Sequence, residues 1–261
     1  MKAIKDAARG LAAACSMFSI IPVPNMEFTG QSLRYALCFF PLIGAVIGAA
    51  SWGWLAICGR FGVSPALYAA VMCALPVVVS GGIHMDGFID TCDAVFSRRG
   101  PAERLAILKD PHVGAFGAAA CALYFILQFG LWSQIYAAPR FAAAALCGFA
   151  VSRVFAGLCI VYFPLARDAG LARLFGGGAG KKPVIWAGAL IIILIFAWIL
   201  TMNIWLAAAL AAACALLLPW FARFSKKAFG GVTGDLAGCL VQLTELMITG
   251  VCAVGGLICL H

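Results

Sequence analysis

Charged side chains are scarce in this sequence. Asp, Glu, Lys and Arg make up only 11% of its 261 residues, against about a quarter in an ordinary soluble domain, whereas apolar residues reach 64%. Segments that alternate apolar and polar residues are also lacking, which argues against a transmembrane β-barrel. Several apolar runs instead exceed the roughly 20 residues that cross a bilayer as a helix. The chain is therefore predicted to be an all-α, polytopic integral membrane protein with a bundle of transmembrane helices.

Cysteine pairs with the C-x-x-C spacing of redox and zinc motifs are missing as well. Most of the 12 cysteines stand singly inside apolar runs, where a free cysteine is a small packing residue. We therefore interpret them as packing residues rather than as disulfides or metal ligands. Gly44 and Gly48 form a G-x-x-x-G pattern, which favours close helix packing within the chain, with a homo-oligomer contact as the alternative.

About seven transmembrane helices are predicted, with the N-terminus in the cytoplasm. The four segments on that side carry four, four, four and three Lys or Arg residues, whereas Arg60 and Arg140 lie outside and Arg153 falls within a span. This is the bias of the positive-inside rule, and it indicates which side of the membrane each loop occupies. The predicted location is the cytoplasmic or inner membrane of a bacterium or archaeon. The predicted spans are about 34–58, 65–83, 113–136, 141–163, 184–201, 203–222 and 236–260.

The whole chain, 1–261, is predicted to be one integral membrane catalytic domain. Its first segment, 1–32, resembles a signal peptide, but prolines follow the apolar stretch and no cleavage pattern is convincing. We favour an interfacial or half-buried helix there. The inner connections are long and polar, so chemistry is expected on the cytoplasmic face, above all in the loop or helix 84–112.

Three of the ten acidic residues fall within eight positions of that loop. Asp86, Asp90 and Asp93 are spaced i, i+4 and i+7, which places them on one face of a helix. Like charges this close repel one another, whereas a hard divalent cation is stabilised by them. Mg²⁺ takes oxygen ligands, usually one or two carboxylates completed by substrate phosphates and water. The spacing therefore predicts metal-assisted phosphate chemistry.

Two neighbouring residues are singled out with the aspartates. His84 follows Gly81 and Gly82, and it is a candidate base or orienting group, with a local hydrogen bond as the alternative. Gly87 weakens a helix by roughly 1 kcal/mol relative to alanine, which suggests that something bulky approaches the backbone there.

The last predicted span begins with Thr233-Gly-Asp235 and contains Glu245. Ionisable groups within a membrane are costly and are candidates for function. Asp235 is expected either to add a carboxylate to the same site or to cap the helix, and Glu245 could join the site if it faces the bundle interior. Arg153, a lone cation within a span, is expected to face the interior or a polar cavity.

The residues around these positions resemble the cobalamin synthase family. The resemblance covers nearly the whole chain in order and is carried by HMDGFIDTCDA at 84–94, LKDPHVGAFG at 108–117, GGVTGDLAG at 230–238 with Glu245, FSIIPVP at 18–24, LRYALCFFPLIGAVIG at 33–48, SR at 152–153 and FPLARDAGLARLF at 163–175.

This resemblance implies an adenosylcobinamide-GDP ribazoletransferase with Mg²⁺ as cofactor. Its substrates would be adenosylcobinamide-GDP and α-ribazole or α-ribazole 5′-phosphate, with GMP as the leaving group and with membrane lipid but no nucleic acid as partner. By match to the motif, the metal ligands would be Asp86, Asp90 and Asp93, with Asp235 and Glu245 as candidates from the second helix, and His84 would be a catalytic base or orienting group. Substrate phosphates would be bound by residues among Arg98, Arg104, Lys109, His112, Arg153, Arg167 and Thr233.

One motif departs from the family pattern, which commonly reads RDSRVG where this chain has Lys109-Asp-Pro-His112-Val-Gly114. Lysine keeps the positive charge but loses the bidentate geometry of arginine. Phosphate is therefore expected to be bound more loosely, or by Arg104. Two other functions stay open from the residues alone: a CDP-alcohol phosphotransferase, whose aspartate spacing differs, and a cation carrier lined by the acids.

Reporter fusions test the predicted orientation. Alkaline phosphatase fused after Arg60 should be exported and active, whereas the same enzyme fused after Lys109 should stay in the cytoplasm and be inactive. Green fluorescent protein fused at the same two points is the matched control and should give the reverse pattern. Phosphatase activity at Lys109 would contradict the orientation.

Overall fold

Helices make up most of the structure, a computed structural model that describes residues 2–24, 30–166 and 181–260. Within these ranges the only β pairing is an isolated parallel bridge between Leu165 and Val232. The helices are α1 (Lys2–Phe18), α2 (Gly30–Phe61), α3 (Pro65–Ser80), α4 (Ile83–Phe96), α5 (Pro101–Ile107), α6 (Ala115–Ile135), α7 (Pro139–Leu146), α8 (Gly148–Tyr162), α9 (Lys181–Met202), α10 (Ile204–Phe229) and α11 (Gly234–Leu260).

Six segments of the described chain are long and apolar enough to cross a membrane, or seven if the bent pair α3 and α4 counts as one. They are α2, α6, α7 with α8, α9, α10 and α11. The predicted all-α membrane bundle of about seven spans is thereby confirmed. All 12 cysteines lie in the described residues and are free thiols, as expected of packing residues.

A sharp bend separates α3 from α4. Gly81 and Gly82 both have positive φ angles, 64° and 79°, which side chains with a Cβ rarely adopt. The axes of the two helices consequently meet at 98°. The span predicted at 65–83 therefore ends at this bend, and α4 is turned across the direction of α3 rather than continuing it.

The helix α11 packs against α4, α6, α7, α8 and α10, and so occupies the centre of the bundle. α8 in turn packs against α2 at Gly44, where a Cβ would collide with the backbone carbonyl of Phe149. The pattern at Gly44 and Gly48 thus serves close packing within the chain, as the first of its two interpretations predicted.

The amphipathic helix α1 packs along α2. Ala13, Ala14 and Phe18 are buried in a cluster with Leu37 and Phe40 of α2, whereas the opposite side of α1 is exposed. The first residues of the chain thus form a helix with one buried face, and its place at the membrane interface stays a prediction.

A buried ion pair connects α8 with α11. The guanidinium of Arg153 donates to Glu245 Oε1, and the two side chains are only 1% and 3% exposed. Ser152 Oγ lies 3.3 Å from the same carboxylate, and the Phe149 carbonyl accepts a further hydrogen bond of 3.1 Å from Arg153. The expectation that Arg153 faces the bundle interior is confirmed, and its partner is Glu245.

Substitutions at this pair should change stability in a non-additive way. Glu245→Leu leaves the Arg153 charge buried without a counter-ion and should cost roughly 3 kcal/mol, because a lone buried charge is far worse than a pair. The double variant Arg153→Met with Glu245→Leu should recover most of that loss. Thermal unfolding of the purified protein in detergent measures both, and additive losses in the double variant would contradict the pairing.

Candidate active site

The aspartates of α4 lie where this helix crosses the beginning of α11. At the crossing a Cβ on Gly87 would be 2.6 Å from the backbone carbonyl oxygen of Asp235. Only a residue without a side chain allows the helices to approach this closely. The bulky group anticipated beside Gly87 is therefore the backbone of α11 itself, and the contact places Asp86 and Asp90, which flank Gly87, next to Asp235.

The three carboxylates at the crossing differ in exposure. Asp86 is exposed, whereas Asp90 and Asp235 are half-buried. Burial raises the pKa of Asp90 to about 6, with further contributions from its acidic neighbours on α4 and α11. α4 lies outside the six spans, so this charge accumulates at the end of the bundle, where a cation would relieve it.

Thr233, rather than Asp235, caps the N-terminus of α11. Its Oγ1 accepts a hydrogen bond of 3.2 Å from the backbone N–H of Leu236 and lies 3.3 Å from Asp235 Oδ2. Of the two roles considered for Asp235, capping is therefore performed by its neighbour. Asp235 stands in the first turn of α11, with its carboxylate on the side of the α4 aspartates.

Asp93 has a different environment from Asp86 and Asp90. Its Oδ2 accepts a 2.8 Å hydrogen bond from the backbone N–H of Gly114, and its Oδ1 accepts one of 2.8 Å from Gly117. These donors belong to the N-terminal turn of α6, where backbone N–H groups lack helical partners and favour negative charge. Asp93 therefore anchors α6 to α4, and both of its oxygens are already engaged.

Glu245 does not join the aspartates. It lies ten residues beyond Asp235, about 15 Å further along α11, and its carboxylate is bound by Arg153. Within the described ranges, no three acidic, histidine or cysteine side chains are close enough to form a metal site by themselves. Any metal ion at the crossing would thus need further ligands from water or the substrate.

His84 begins α4 and is 4% exposed. Its ring lies 5.4 Å from that of Phe40 and 6.4 Å from that of Phe18, and its Nε2 is buried without a hydrogen-bond partner among the described residues. The local hydrogen bond considered for His84 is therefore not made through Nε2. Together with Asp86 and Asp235, His84 lines a cavity of about 140 Å³.

The candidate phosphate ligands differ in exposure and in their partners. Arg98, Lys109 and His112 are exposed, and His112 Nδ1 lies 2.7 Å from Asp110 Oδ1. Hydrogen bonds from the His112 backbone and ring lower the pKa of Asp110. Arg104 donates a 3.4 Å hydrogen bond to the Ala228 carbonyl near the end of α10. Arg167 lies outside the described residues.

Phe18, Phe40, Gly114 and Gly117 were not singled out from the sequence. All four stand in motifs that were quoted, but an apolar residue in an apolar chain gives no separate signal. The N–H groups of Gly114 and Gly117 acquire their role only because α6 begins beside Asp93.

Comparisons with known proteins identify the family of this chain. A family model described as cobalamin-5-phosphate synthase matches residues 10–253. The chain belongs to the cobalamin-5-phosphate synthase family. This match confirms the resemblance that the motifs indicated, and the matched region includes both α4 and the start of α11.

Curated relatives of this family cover most of the chain. A protein of Lachnoclostridium phytofermentans named adenosylcobinamide-GDP ribazoletransferase is 40% identical, covering 90% of this chain and 89% of its own length. Proteins with the same name from Desulfitobacterium hafniense and Geobacillus kaustophilus are each 32% identical, covering 92% and 95% of this chain and 94% and 96% of their own lengths. No solved structure matches the chain.

Asp93 is expected to stabilise the protein through α6. Asp93→Ala removes both acceptors from the first turn and should cost about 1–2 kcal/mol, as for other lost helix caps. Asp93→Asn keeps one acceptor oxygen and should lose less. Thermal unfolding in detergent distinguishes the two. An Asp93→Ala variant as stable as the unaltered protein would contradict the anchoring role.

Proposed function

We propose that this protein is an adenosylcobinamide-GDP ribazoletransferase acting late in cobalamin biosynthesis. The observation that carries the proposal is the meeting of Asp86 and Asp90 with Asp235 at the crossing of α4 and α11, in a chain of this family. Substrates with a pyrophosphate suit such an acidic site only if a cation accompanies them. The acidic residues are therefore interpreted as a metal-dependent phosphoryl-transfer site.

The proposed reaction exchanges one phosphate ester partner for another. The 3′-hydroxyl of α-ribazole, or of its 5′-phosphate, attacks the cobinamide-side phosphorus of adenosylcobinamide-GDP. A new P–O bond forms to that hydroxyl oxygen, the bond to the bridging pyrophosphate oxygen breaks, and GMP leaves with the bridging oxygen. The hydroxyl proton is released, and the product is adenosylcobalamin or its 5′-phosphate.

Mg²⁺ is the proposed cofactor, held by one or two carboxylates among Asp86, Asp90 and Asp235. The donor set fits, because Mg²⁺ commonly binds through one or two carboxylates and completes its shell with water and substrate phosphate oxygens. When bound, the ion would neutralise charge on the pyrophosphate. Asp93 and Glu245 were also expected as ligands; their engagement by α6 and by Arg153 favours supporting roles for both.

The side chains of the protein itself mainly position the reactants, as is usual for phosphoryl transfer. The rigid crossing of α4 and α11 fixes the carboxylates, while Asp93 and the Arg153–Glu245 pair hold the surrounding helices. His84 is the candidate to orient or deprotonate the attacking hydroxyl, because its Nε2 has no hydrogen-bond partner among the described residues and its ring lines the same cavity as Asp86 and Asp235. Arg104 and the exposed cations of the same region are candidates for the outer phosphate oxygens.

The location also belongs to this proposal. The apolar helices and the bacterial relatives support a multi-pass protein of a bacterial cytoplasmic membrane, and the distribution of basic residues supports an N-terminus and an acidic site on the cytoplasmic side. That side would give access to both soluble substrates. The carrier alternative is weakened because Glu245, which lies deep in a span, is bound by Arg153 rather than lining a path for ions.

GMP release tests the function directly. Purified protein in liposomes, supplied with Mg²⁺, adenosylcobinamide-GDP and α-ribazole 5′-phosphate, should release GMP, and chelation of divalent ions should abolish this. Asp86→Ala, Asp90→Asn and Asp235→Asn should each reduce the rate by about 100-fold or more, because each removes a negative charge that would hold the cation beside the reacting phosphates.

Glu103→Gln provides the control. Glu103 is an exposed carboxylate on α5 that pairs with Arg99 across 3.8 Å and accepts a 3.1 Å hydrogen bond from the Gly100 backbone N–H. Glutamine keeps an acceptor for that hydrogen bond, so the substitution should leave GMP release within about twofold. Unfolding temperatures of all variants should be recorded, because a folded Asp86→Ala protein of full activity would overturn the assignment. Absence of GMP release by the unaltered, folded protein would overturn the function itself.

A further inference from the structure

An aromatic cavity adjoins the acidic crossing. It has a volume of about 140 Å³ and is bounded by α1, α2, α4, α8 and α11. Asp86 and Asp235 stand at one side, and the remaining lining is apolar apart from His84. Its walls are formed by Phe18, Phe40, Ile83, His84, Ala156, Ile160, Ala237 and Gly238.

The walls of the cavity suit a flat aromatic group. The rings of Phe18 and Phe40 have centroids 4.2 Å apart, and the His84 ring lies beside both. An apolar cavity of about 150 Å³ holds one benzene molecule, so one ring of a larger base would fill this space and the rest would extend toward Asp86 and Asp235. The space therefore matches a compact aromatic ligand better than a sugar or a phosphate.

The unpartnered nitrogen of His84 is a second, independent sign of a ligand. A buried polar atom without a hydrogen bond is unfavourable, and native proteins rarely retain one without a reason. Among the described residues His84 Nε2 has no hydrogen-bond partner, and His84 is only 4% exposed. A nucleoside in the cavity would supply the missing hydrogen-bond partner.

We propose that this cavity binds the benzimidazole-type base of α-ribazole, with His84 Nε2 hydrogen-bonded to the nucleoside. The inference depends on the proposed function, which makes α-ribazole a substrate. A base held between α1 and α4 leaves its ribose on the side of Asp86 and Asp235, next to the proposed metal site. The attacking hydroxyl is thereby delivered to the reacting phosphorus.

The guanine of the other substrate fits the cavity less well. Guanine carries several donors and acceptors around its edge, each of which needs a polar partner when buried. The polar side chains that line the cavity are His84, Asp86 and Asp235. Because the two carboxylates are assigned to the metal, only one imidazole nitrogen is left to pair with guanine. A benzimidazole has only ring nitrogens as polar atoms, so burial costs it less.

Two substitutions reshape the cavity in opposite ways. Phe40→Leu removes a stacking wall, and Ala156→Leu fills part of the space. Stacking on an aromatic side chain accounts for about a 5- to 150-fold effect on base affinity. Both variants should therefore raise the KM for α-ribazole by about 10- to 100-fold, while the KM for adenosylcobinamide-GDP stays within about threefold.

Matched controls and direct binding complete the experiment. Phe221→Leu and Ala144→Leu alter buried residues that do not line the cavity, and they should change neither KM. Equilibrium dialysis with labelled α-ribazole should show the same loss of affinity without turnover. His84→Gln, which retains an amide donor near the Nε2 position, should preserve binding better than His84→Leu.

The possible results separate this inference from the function. Three results in folded Phe40→Leu and Ala156→Leu would overturn the cavity assignment: a rise confined to the KM for adenosylcobinamide-GDP, an equal rise of KM for both substrates, or an unchanged affinity for α-ribazole. An unchanged affinity would mean that the cavity takes a lipid chain or stays vacant. If the unaltered protein binds α-ribazole but releases no GMP, the proposed function fails while the cavity is still tested by dialysis.

α-Adenosine should bind about tenfold more weakly than α-ribazole in the same dialysis experiment, because adenine would bury polar atoms without partners.

Discussion

The close approach of α4 to α11 at Gly87 is the contact on which the site depends. A side chain at this position would strike the backbone of Asp235, and separating the helices would move Asp235 away from Asp86 and Asp90. The repulsion among these carboxylates opposes the approach, whereas packing of the buried helix faces favours it. A site that concentrates negative charge is thus held together by apolar packing, and a cation would complete it.

The distribution of charge follows the cost of burying ions. In the middle of the bundle Arg153 and Glu245 neutralise each other, with Ser152 and a backbone carbonyl as additional partners. The carboxylates of Asp86, Asp90 and Asp235 instead lie where α4 crosses the first turn of α11, and all three are at least partly exposed. Asp93 illustrates a third solution, because the N–H groups of Gly114 and Gly117 stabilise its charge without any cation.

The bend at Gly81 and Gly82 connects these features. It turns α4 across α3, so that its beginning, with His84, reaches the aromatic residues of α1 and α2, while its later turns reach α6 and α11. One helix of 14 residues thereby contributes the cavity wall, two carboxylates and the anchor for α6. The N-terminal helix, which resembles a removable leader in sequence, forms part of the same site through Phe18.

Much of this arrangement could be predicted from the sequence. Apolar runs predicted the spans, the i, i+4 spacing placed Asp86 and Asp90 on one face, and the cost of a lone charge predicted that Arg153 faces inward. These are local properties, set by helical periodicity and by the solvent that a segment prefers. Which helices touch was decided only by the tertiary structure. Asp93 is bound by the backbone of α6, and Glu245 pairs with Arg153 rather than joining the aspartates. Phe18 and Phe40 pack beside His84. None of these contacts could be predicted, because long-range packing selects among many apolar faces that are equivalent in sequence.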